Sequence, residues 1–416
     1  MISQPFQLQS LLLDLLSPVR PIDLALLRSL DQRDWSSLLE MTRQHRVGAL
    51  LHWQAKRRKL PLPVAVLEQL ARVAKQQAMR SLVLQRQLML ISRMLRQAGI
   101  PFAALKGSYL ALLAYTEPQL RPLRDIDILV PRAQALRAYE ILLDNGLTRH
   151  PAYQGDPATA LETVKHLPAL RTASGRISVE LHARLFEPEL LKDGQPDPAD
   201  TDQFWDRCIA VPVAGDTITF ESPTDLLLHL IVHAVLDHKF NNGPLLLSDL
   251  AFLMASQPID WPLFWTLANE GDYTRGCILA LKLVERYWGE QPIAWPPGEE
   301  QACATASAQW PVAAALMLQD VSNRRFFNFA GQMSAAPTGA QLAKLAWHKI
   351  FPPRSAIATE YSKRESAGLL WGWHMARWWR LATRTLPGYL RAARASSKSG
   401  ELKQMQNLHA WLGEGR

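Results

Sequence analysis

The sequence predicts an α/β (α+β) protein in which a small mixed sheet is flanked by two mostly helical regions. Residues 1–99 carry apolar side chains at helical spacing, and residues 191–395 return to that pattern between proline-rich connections. Between them, residues 100–190 alternate short runs of period two with short helical runs, which is typical of strands connected by helices. Residues 396–416 are expected to form a flexible tail with a short helix.

The clearest helix of the N-terminal region begins after Pro63 and ends before Gly99. Its apolar side chains recur every three or four residues, so they share one face of the helix. They are Leu67, Leu70, Ala74, Ala78, Leu88, Ile91 and Leu95. Glycine after the last apolar position is a common helix C-terminus, so we predict that the helix ends there.

The central region begins with three short elements. We predict a strand over residues 101–105, a short helix over 109–115 and a second strand over 125–130. The second strand has the most regular alternation, because isoleucines separate two acidic residues in it. It is the element to which the functional argument below is attached.

Later elements of the central region are marked by turn residues. Pro131 suits the first turn of a helix, and Asn145-Gly146 suits its end. Segments 167–171 and 177–182 flank the turn Ser174-Gly175, so we predict a β-hairpin there.

The composition is that of a globular protein, because 48% hydrophobic and 20% charged residues are close to average. No apolar run reaches the roughly 20 residues needed to cross a bilayer, and Asp14 interrupts the apolar segment that a secretion signal would need. The three cysteines, Cys208, Cys277 and Cys303, are too widely spaced to indicate a disulfide framework or a zinc knuckle. We therefore expect a cytoplasmic protein, and its net charge of +8 weakly favours anionic partners.

Two carboxylates lie two residues apart in the strand predicted over 125–130. Asp125 and Asp127 share one face, since side chains alternate along a strand. Like charges held together repel, and a cation between them removes that repulsion. Upstream, Gly107 and Ser108 lie where a strand ends and a helix begins, a position at which backbone N–H groups can approach phosphates. Together these features indicate metal-assisted chemistry on a nucleoside triphosphate.

The order of these motifs resembles that of the polymerase-beta-like nucleotidyltransferase superfamily. The residues that carry the resemblance are Lys106-Gly107-Ser108, Tyr115, Arg121 and Arg124-Asp125-Ile126-Asp127-Ile128-Leu129-Val130. The closer similarity is to a poorly characterised bacterial nucleotidyltransferase family with Leu-Lys-Gly at the first turn. The specific resemblance covers residues 100–190, and a looser similarity of helical pattern extends to both sides.

The resemblance implies a third carboxylate on a later strand, and Glu180 fits that position best because its segment alternates. Glu162 and Glu187 are alternatives nearby. By the same resemblance, Asp125, Asp127 and Glu180 are expected to bind two Mg²⁺ ions, with Mn²⁺ as a substitute. Glu180 would also help to deprotonate the acceptor.

Five residues are assigned to the nucleotide by the resemblance and by their charge. Gly107 and Ser108 would lie against the β- and γ-phosphates, where a larger side chain would push the nucleotide away. Lys106 would supply a compact positive charge, and Arg121 and Arg124 would clamp phosphate. Each assignment has a structural alternative, in which Lys106 caps the strand or pairs with an aspartate and the arginines are ordinary loop charges.

A histidine-rich segment follows the central region. His229 and His233 are four residues apart, a spacing that zinc sites use. Buried, hydrogen-bonded histidines are favoured, because leucines surround the pair and no glutamate follows the first histidine. In an intermediate interpretation His233 and Asp249 reach toward the nucleotide from the helical region that follows, as a second layer of residues around the site. A more distant alternative is a phosphohydrolase site that includes Asp237 and His238.

A helix rich in tryptophan and arginine is predicted over residues 369–386. One stripe holds Trp371, Met375, Trp378 and Ala382, and the adjacent stripe holds Arg377, Arg380 and Arg384. Such a helix suits peripheral contact with a membrane surface, or contact with nucleic-acid phosphates. We favour ordinary packing against the protein, because Pro387 ends the helix after about five turns.

These inferences lead to one preferred function. The protein is expected to move an NMP unit, with AMP from ATP as the default, onto a hydroxyl or phosphate acceptor, with Mg²⁺ as cofactor and pyrophosphate as product. A small-molecule, peptide or protein acceptor is favoured, and nucleic acid stays open. The alternative is a catalytically degenerate binding or regulatory protein with the same fold. The sequence sets neither the acceptor, the base preference nor the oligomeric state.

Overall fold

The computed structural model describes residues 5–151, 155–298, 300–319, 347, 350–351, 370–381, 383 and 401–413. Within these residues seven strands form one mixed sheet, and helical segments precede and follow it. The α/β fold class predicted from the sequence is therefore confirmed.

The helices before the sheet pack through the segment Gly48–Arg57, which contacts Pro5–Leu16, Gln32–His45 and the long helix Val64–Gln97. Their bounds are α1 Pro5–Leu16, α2 Leu24–Ser29, α3 Gln32–His45, α4 Gly48–Arg57 and α5 Val64–Gln97. The long helix α5 begins and ends where Pro63 and Gly99 predict. Of its predicted apolar face, four residues are buried (Leu70, Leu88, Ile91 and Leu95) and three are half-buried (Leu67, Ala74 and Ala78). Helix α3 begins at a capping box in which the Asp31 side chain accepts from the backbone of Arg33 and Asp34.

The sheet combines parallel and antiparallel pairs. Its strands are β1 Ala103–Ala104, β2 Asp125–Leu129, β3 Thr148–Arg149, β4 Leu170–Arg171, β5 Ser178–His182, β6 Ile209–Val213 and β7 Asp216–Phe220. They lie in the order β3-β4-β5-β2-β1-β7-β6, in which β2 pairs with β5 and β1 with β7 in parallel. The predicted hairpin around Gly175 is the antiparallel pair of β4 and β5.

The two central parallel strands separate an apolar face from a polar face. Along β2 the isoleucines Ile126 and Ile128 are buried, whereas Asp125 and Asp127 are half-buried on the other side. Helix α5 packs against β2 and β7, and the helix formed by Ala135–Asp144 packs against β5. The carboxylates therefore lie on the face of these strands that is opposite the buried isoleucines, and this face lines a cleft.

Two strands, β6 and β7, lie in the region expected to be mostly helical. They form a hairpin whose turn is Ala214-Gly215, with φ values of 47° and 88°. Positive φ at both central residues is the geometry that hairpin turns favour, but alanine rarely adopts it. The side chains of β6 and β7 do alternate between more and less exposed positions. The hairpin was not predicted because its turn lacks the usual Asn-Gly sequence.

The remaining α-helices of the described residues are numbered in chain order after α5. They are α6 Gly107–Tyr109, α7 Ala135–Asp144, α8 Pro157–Thr163, α9 Asp202–Arg207, α10 Pro223–Ile231, α11 Leu245–Ser256, α12 Trp261–Glu270, α13 Thr274–Trp288, α14 Glu300–Met317, α15 Leu370–Arg380 and α16 Glu401–Gly413. Two π-helical segments, Leu110–Ala114 and Val232–Asp237, continue α6 and α10. Such segments occur often at functional sites.

The C-terminal elements correspond in part to the predicted ones. Helix α16 packs against α14 and buries Leu408, so this part of the tail is docked. The tryptophan-rich helix is described as α15, where the Trp378 indole donates to the carbonyl of Ile350. Ala382, Arg384 and the hinge at 396–400 lie outside the described residues. No helix in the described ranges is both long and apolar enough to cross a membrane.

Candidate active site

Three carboxylates share the polar face of the two central strands. The parallel register places Asp127 directly beside Glu180, and Asp125 lies on the same face two pairs earlier. Ligand atoms of Asp127, Glu180 and His182 all lie within 4.8 Å of one another. The sequence left Glu162 and Glu187 as alternatives to Glu180 for the third carboxylate. The strand register places Glu180 beside Asp127.

The two alternative carboxylates form ion pairs of their own, although Glu187 also lines the cleft. Glu162 forms an ion pair with Arg132 and is largely exposed. Glu187 lies 3.2 Å from the Lys165 ammonium. Neither shares the register that joins Glu180 to Asp127, so we retain Glu180 as the third carboxylate.

His182 supports this group and was missed by the sequence reasoning. Its side chain is fully buried, and its Nε2 lies 3.1 Å from the Asp127 Oδ1. Burial lowers the pKa of His182 to about 3, so the ring is neutral and its Nε2–H donates to the carboxylate. Its Nδ1 has no hydrogen-bond partner in the part of the chain that the structure describes. The available signal was position, because His182 follows Glu180 by two residues and therefore shares its face.

The charges of this cluster oppose one another strongly. Burial and the neighbouring Asp127 raise the pKa of Asp125 and of Glu180. Burial acts in the same direction on Asp127, but the positive Lys106 and the hydrogen bond from His182 outweigh it and lower the pKa of Asp127. Buried carboxylates that repel one another are relieved by a divalent cation, and Mg²⁺ prefers oxygen ligands of this kind. The donor set therefore fits Mg²⁺ held by Asp125, Asp127 and Glu180.

The turn at Lys106-Gly107 lies beside the carboxylates and is tightly constrained. Lys106 has φ of 47°, a left-handed conformation that is unfavourable for lysine. A Cβ at Gly107 would lie 2.8 Å from the Leu123 Cδ2, so only glycine fits without movement. Both residues line the cleft, whereas Ser108 is buried and is not part of its lining.

A buried glutamate holds this turn. Glu221, with no exposed surface, accepts the backbone N–H of Lys106 at 2.9 Å and lies 2.9 Å from the His229 Nδ1. Burial lowers the pKa of His229, so the neutral ring donates to the carboxylate. His229 is therefore a buried, hydrogen-bonded histidine, as the favoured sequence interpretation holds, and the part played by Glu221 was not predicted.

Arg121 and Asp249, both assigned to the nucleotide region, bind each other. The Arg121 Nε donates to the Asp249 Oδ1 at 2.7 Å, and the Tyr115 hydroxyl donates to the same oxygen at 2.7 Å. Both charged residues line the cleft. Burial raises the pKa of Asp249 although Arg121 opposes this. This contact joins the loop before β2 to helix α11, so Arg121 also has a structural task. Arg124 is exposed at the cleft mouth.

The opposite wall of the cleft carries the histidine cluster. The ligand atoms of His233, Asp237 and His238 lie within 4.8 Å of one another. Asp237 already binds the Lys165 ammonium at 2.7 Å and the His233 Nδ1 at 3.1 Å. A lysine bound to the central carboxylate disfavours a metal there, so the phosphohydrolase interpretation has less support than the carboxylate site. His229 is directed to Glu221 and is not part of the cluster.

The cleft between these walls has a volume of about 580 Å³. This lies in the usual range for sites that bind small molecules and cofactors. Lys106 and Arg124 bring positive charge to the cavity beside the three carboxylates, whereas Arg121 and Lys165 are paired with Asp249 and Asp237. An anionic ligand with a bound cation complements both sets of charges.

A protein-family model described as an uncharacterised nucleotidyltransferase matches residues 31–289, more than half of the chain. The chain belongs to this family. The match extends from the start of α3 to the end of α13, so these flanking helices lie inside the family unit together with the carboxylate strands. No curated protein and no solved structure matches the chain.

Proposed function

We propose that this nucleotidyltransferase moves an NMP unit, with AMP from ATP as the default, from a Mg²⁺-bound NTP to an acceptor hydroxyl or phosphate oxygen. A bond forms between the acceptor oxygen and the α-phosphorus, and the bond from the α-phosphorus to the bridging oxygen of the β-phosphate breaks. Pyrophosphate leaves, and the acceptor proton is transferred to a base. The single observation that carries the proposal is the register that pairs Asp127 with Glu180 on the face of Asp125.

The three carboxylates and His182 have separate roles in this proposal. Asp125, Asp127 and Glu180 would hold Mg²⁺, which supplies charge stabilisation to the attacking and leaving oxygens. His182 donates to Asp127 and thereby fixes the orientation of that carboxylate. Glu180 would also help to accept the proton of the acceptor, because it lies beside Asp127 on the carboxylate face.

The turn and the basic residues would bind the triphosphate. Gly107 lets the phosphates approach the backbone closely, and the absence of a Cβ there keeps the Leu123 contact free of strain. Lys106 contributes a positive charge next to Asp127, and Glu221 fixes its backbone. Arg124 is exposed at the mouth and is suited to phosphate oxygens. His233 would contact the nucleotide from the opposite wall.

Calorimetric titration tests the donor half of this proposal. Each of the four NTPs is added, with and without Mg²⁺, to the wild type and to Asp127→Ala. We expect Mg²⁺-dependent binding of one NTP that the variant loses. Binding of no NTP to a folded wild type would overturn the proposal in favour of the degenerate interpretation. Glu68→Ala, an exposed change on α5, serves as the matched control.

A further inference from the structure

A second cleft of about 780 Å³ adjoins the active site. It lies between α3, α5 and the loop that leads into β2. Three of the described residues line both clefts and so form the wall that the clefts share. They are Arg46, Leu123 and Arg124. Arg124 immediately precedes Asp125 in the chain. The second cleft therefore adjoins the cleft that holds the carboxylates.

The second cleft is strongly basic. Its lining includes Arg43, Arg46, Arg80 and Arg124, which come from three separate segments of the chain. Glu40 is the only acidic residue among its described lining residues, and it forms an ion pair with Arg43 at 2.6 Å. The cavity therefore keeps a positive excess. Planar guanidinium groups are the side chains best suited to bind phosphate oxygens in pairs.

The rest of the lining indicates the size and polarity of the occupant. Gln69, Gln76 and Gln77 add neutral amides, and Leu70 and Val73 give an apolar floor. The Gln77 Oε1 is buried and has no hydrogen-bond partner within the described ranges. Such an oxygen is satisfied by a donor such as a ligand hydroxyl. The volume suits a small molecule and is too small for a folded partner.

We propose that this second cleft binds the acceptor, and that the acceptor is a small molecule carrying a phosphate group and hydroxyls. The assignment rests on the proposed nucleotidyl transfer. The triphosphate position is separate, because Lys106 and Gly107 line the active-site cleft and not the second one. Donor and acceptor thus enter from two sides of the wall formed by Arg46, Leu123 and Arg124.

Inorganic phosphate is the probe for a first test. The full chain, with its active site filled by Mg²⁺ and α,β-methylene-ATP, is titrated at fixed ionic strength while backbone amide signals are followed by NMR. We expect saturable shifts at residues 43, 77 and 80. The double variant Arg43→Gln/Arg80→Gln should bind phosphate at least tenfold more weakly, because it removes two of the guanidinium groups suited to phosphate oxygens. As a control, the variant Arg72→Gln changes an exposed residue on the helix that also carries Arg80, and it should bind phosphate as the wild type does.

Shifts that persist in the double variant, or that are confined to residues 106–108, would overturn the proposal. Calorimetry with Mg²⁺ and ATP on the same proteins separates the two levels of inference. If the wild type and the double variant both bind the nucleotide but phosphate does not localise to the second cleft, only the acceptor site fails. If the wild type binds no NTP, the proposed function fails and the acceptor assignment is overturned with it, even where phosphate still binds.

Discussion

Glu221 offers the sharpest test of how the active-site turn is held. Its carboxylate accepts from the backbone N–H of Lys106 and from the ring of His229. Because Glu221 is fully buried, water does not reach either donor there. Glu221→Ala leaves two buried donors without partners, and each costs about 1–3 kcal/mol. The free energy of unfolding should therefore fall by about 2–6 kcal/mol. In Glu221→Gln the amide oxygen still accepts from Lys106, so about half of that loss is expected.

Urea denaturation followed by tryptophan fluorescence measures both changes, with Glu68→Ala as the surface control. The same variants should bind Mg²⁺-ATP more weakly, because Lys106 is free to leave its left-handed conformation, which stores about 1–3 kcal/mol. A Glu221→Ala variant that is within 0.5 kcal/mol of wild type would refute the claim that this residue holds the turn. So would a Gln variant that loses as much stability as the Ala variant.

Other expectations concern the carboxylate face itself. Asp125→Ala should retain wild-type stability in urea, whereas Asp127→Ala should lose about 1–3 kcal/mol because it leaves the His182 donor unpaired; calorimetry should show that both lose Mg²⁺-dependent NTP binding. Gly107→Ala should weaken Mg²⁺-ATP binding, because the new Cβ would lie 2.8 Å from the Leu123 Cδ2. The double variant Gly107→Ala/Leu123→Ala should therefore regain part of the binding. A double variant that binds no better than Gly107→Ala would contradict this explanation. Without Mg²⁺, His182 is neutral in the folded state and takes a proton on unfolding below its reference pKa of 6.5, so stability is lost as pH falls toward 3. At pH 5 this amounts to about 2 kcal/mol, and a denaturation series in which His182→Gln shows the same pH dependence as wild type would contradict it.

The sequence predicted the parts of the fold that depend on local pattern. Helix α5 follows from its apolar face and its flanking Pro63 and Gly99, and β2 follows from strict alternation around two aspartates. Glu180 was preferred because its own segment alternates, and the parallel register then puts it beside Asp127. In each case residues close in the chain carry the information.

The parts that were missed depend on contacts between distant segments. Glu221 is 115 residues from Lys106, and no local pattern links a glutamate after a hairpin to a turn in another strand. Lys165 meets Asp237 across 72 residues. The second cleft likewise needs α3, α5 and the β2 loop together, and Arg43 and Arg80 look like ordinary surface charges until the fold brings them to one cavity.

A crystal structure of the protein with Mn²⁺ and α,β-methylene-ATP tests the central claim most directly, because manganese can be located by its anomalous scattering. The account expects manganese between Asp125, Asp127 and Glu180, with the triphosphate against Lys106 and Gly107. Manganese at the histidine cluster of the opposite wall, or an anomalous map with no peak at the carboxylates while the nucleotide is bound, would contradict it.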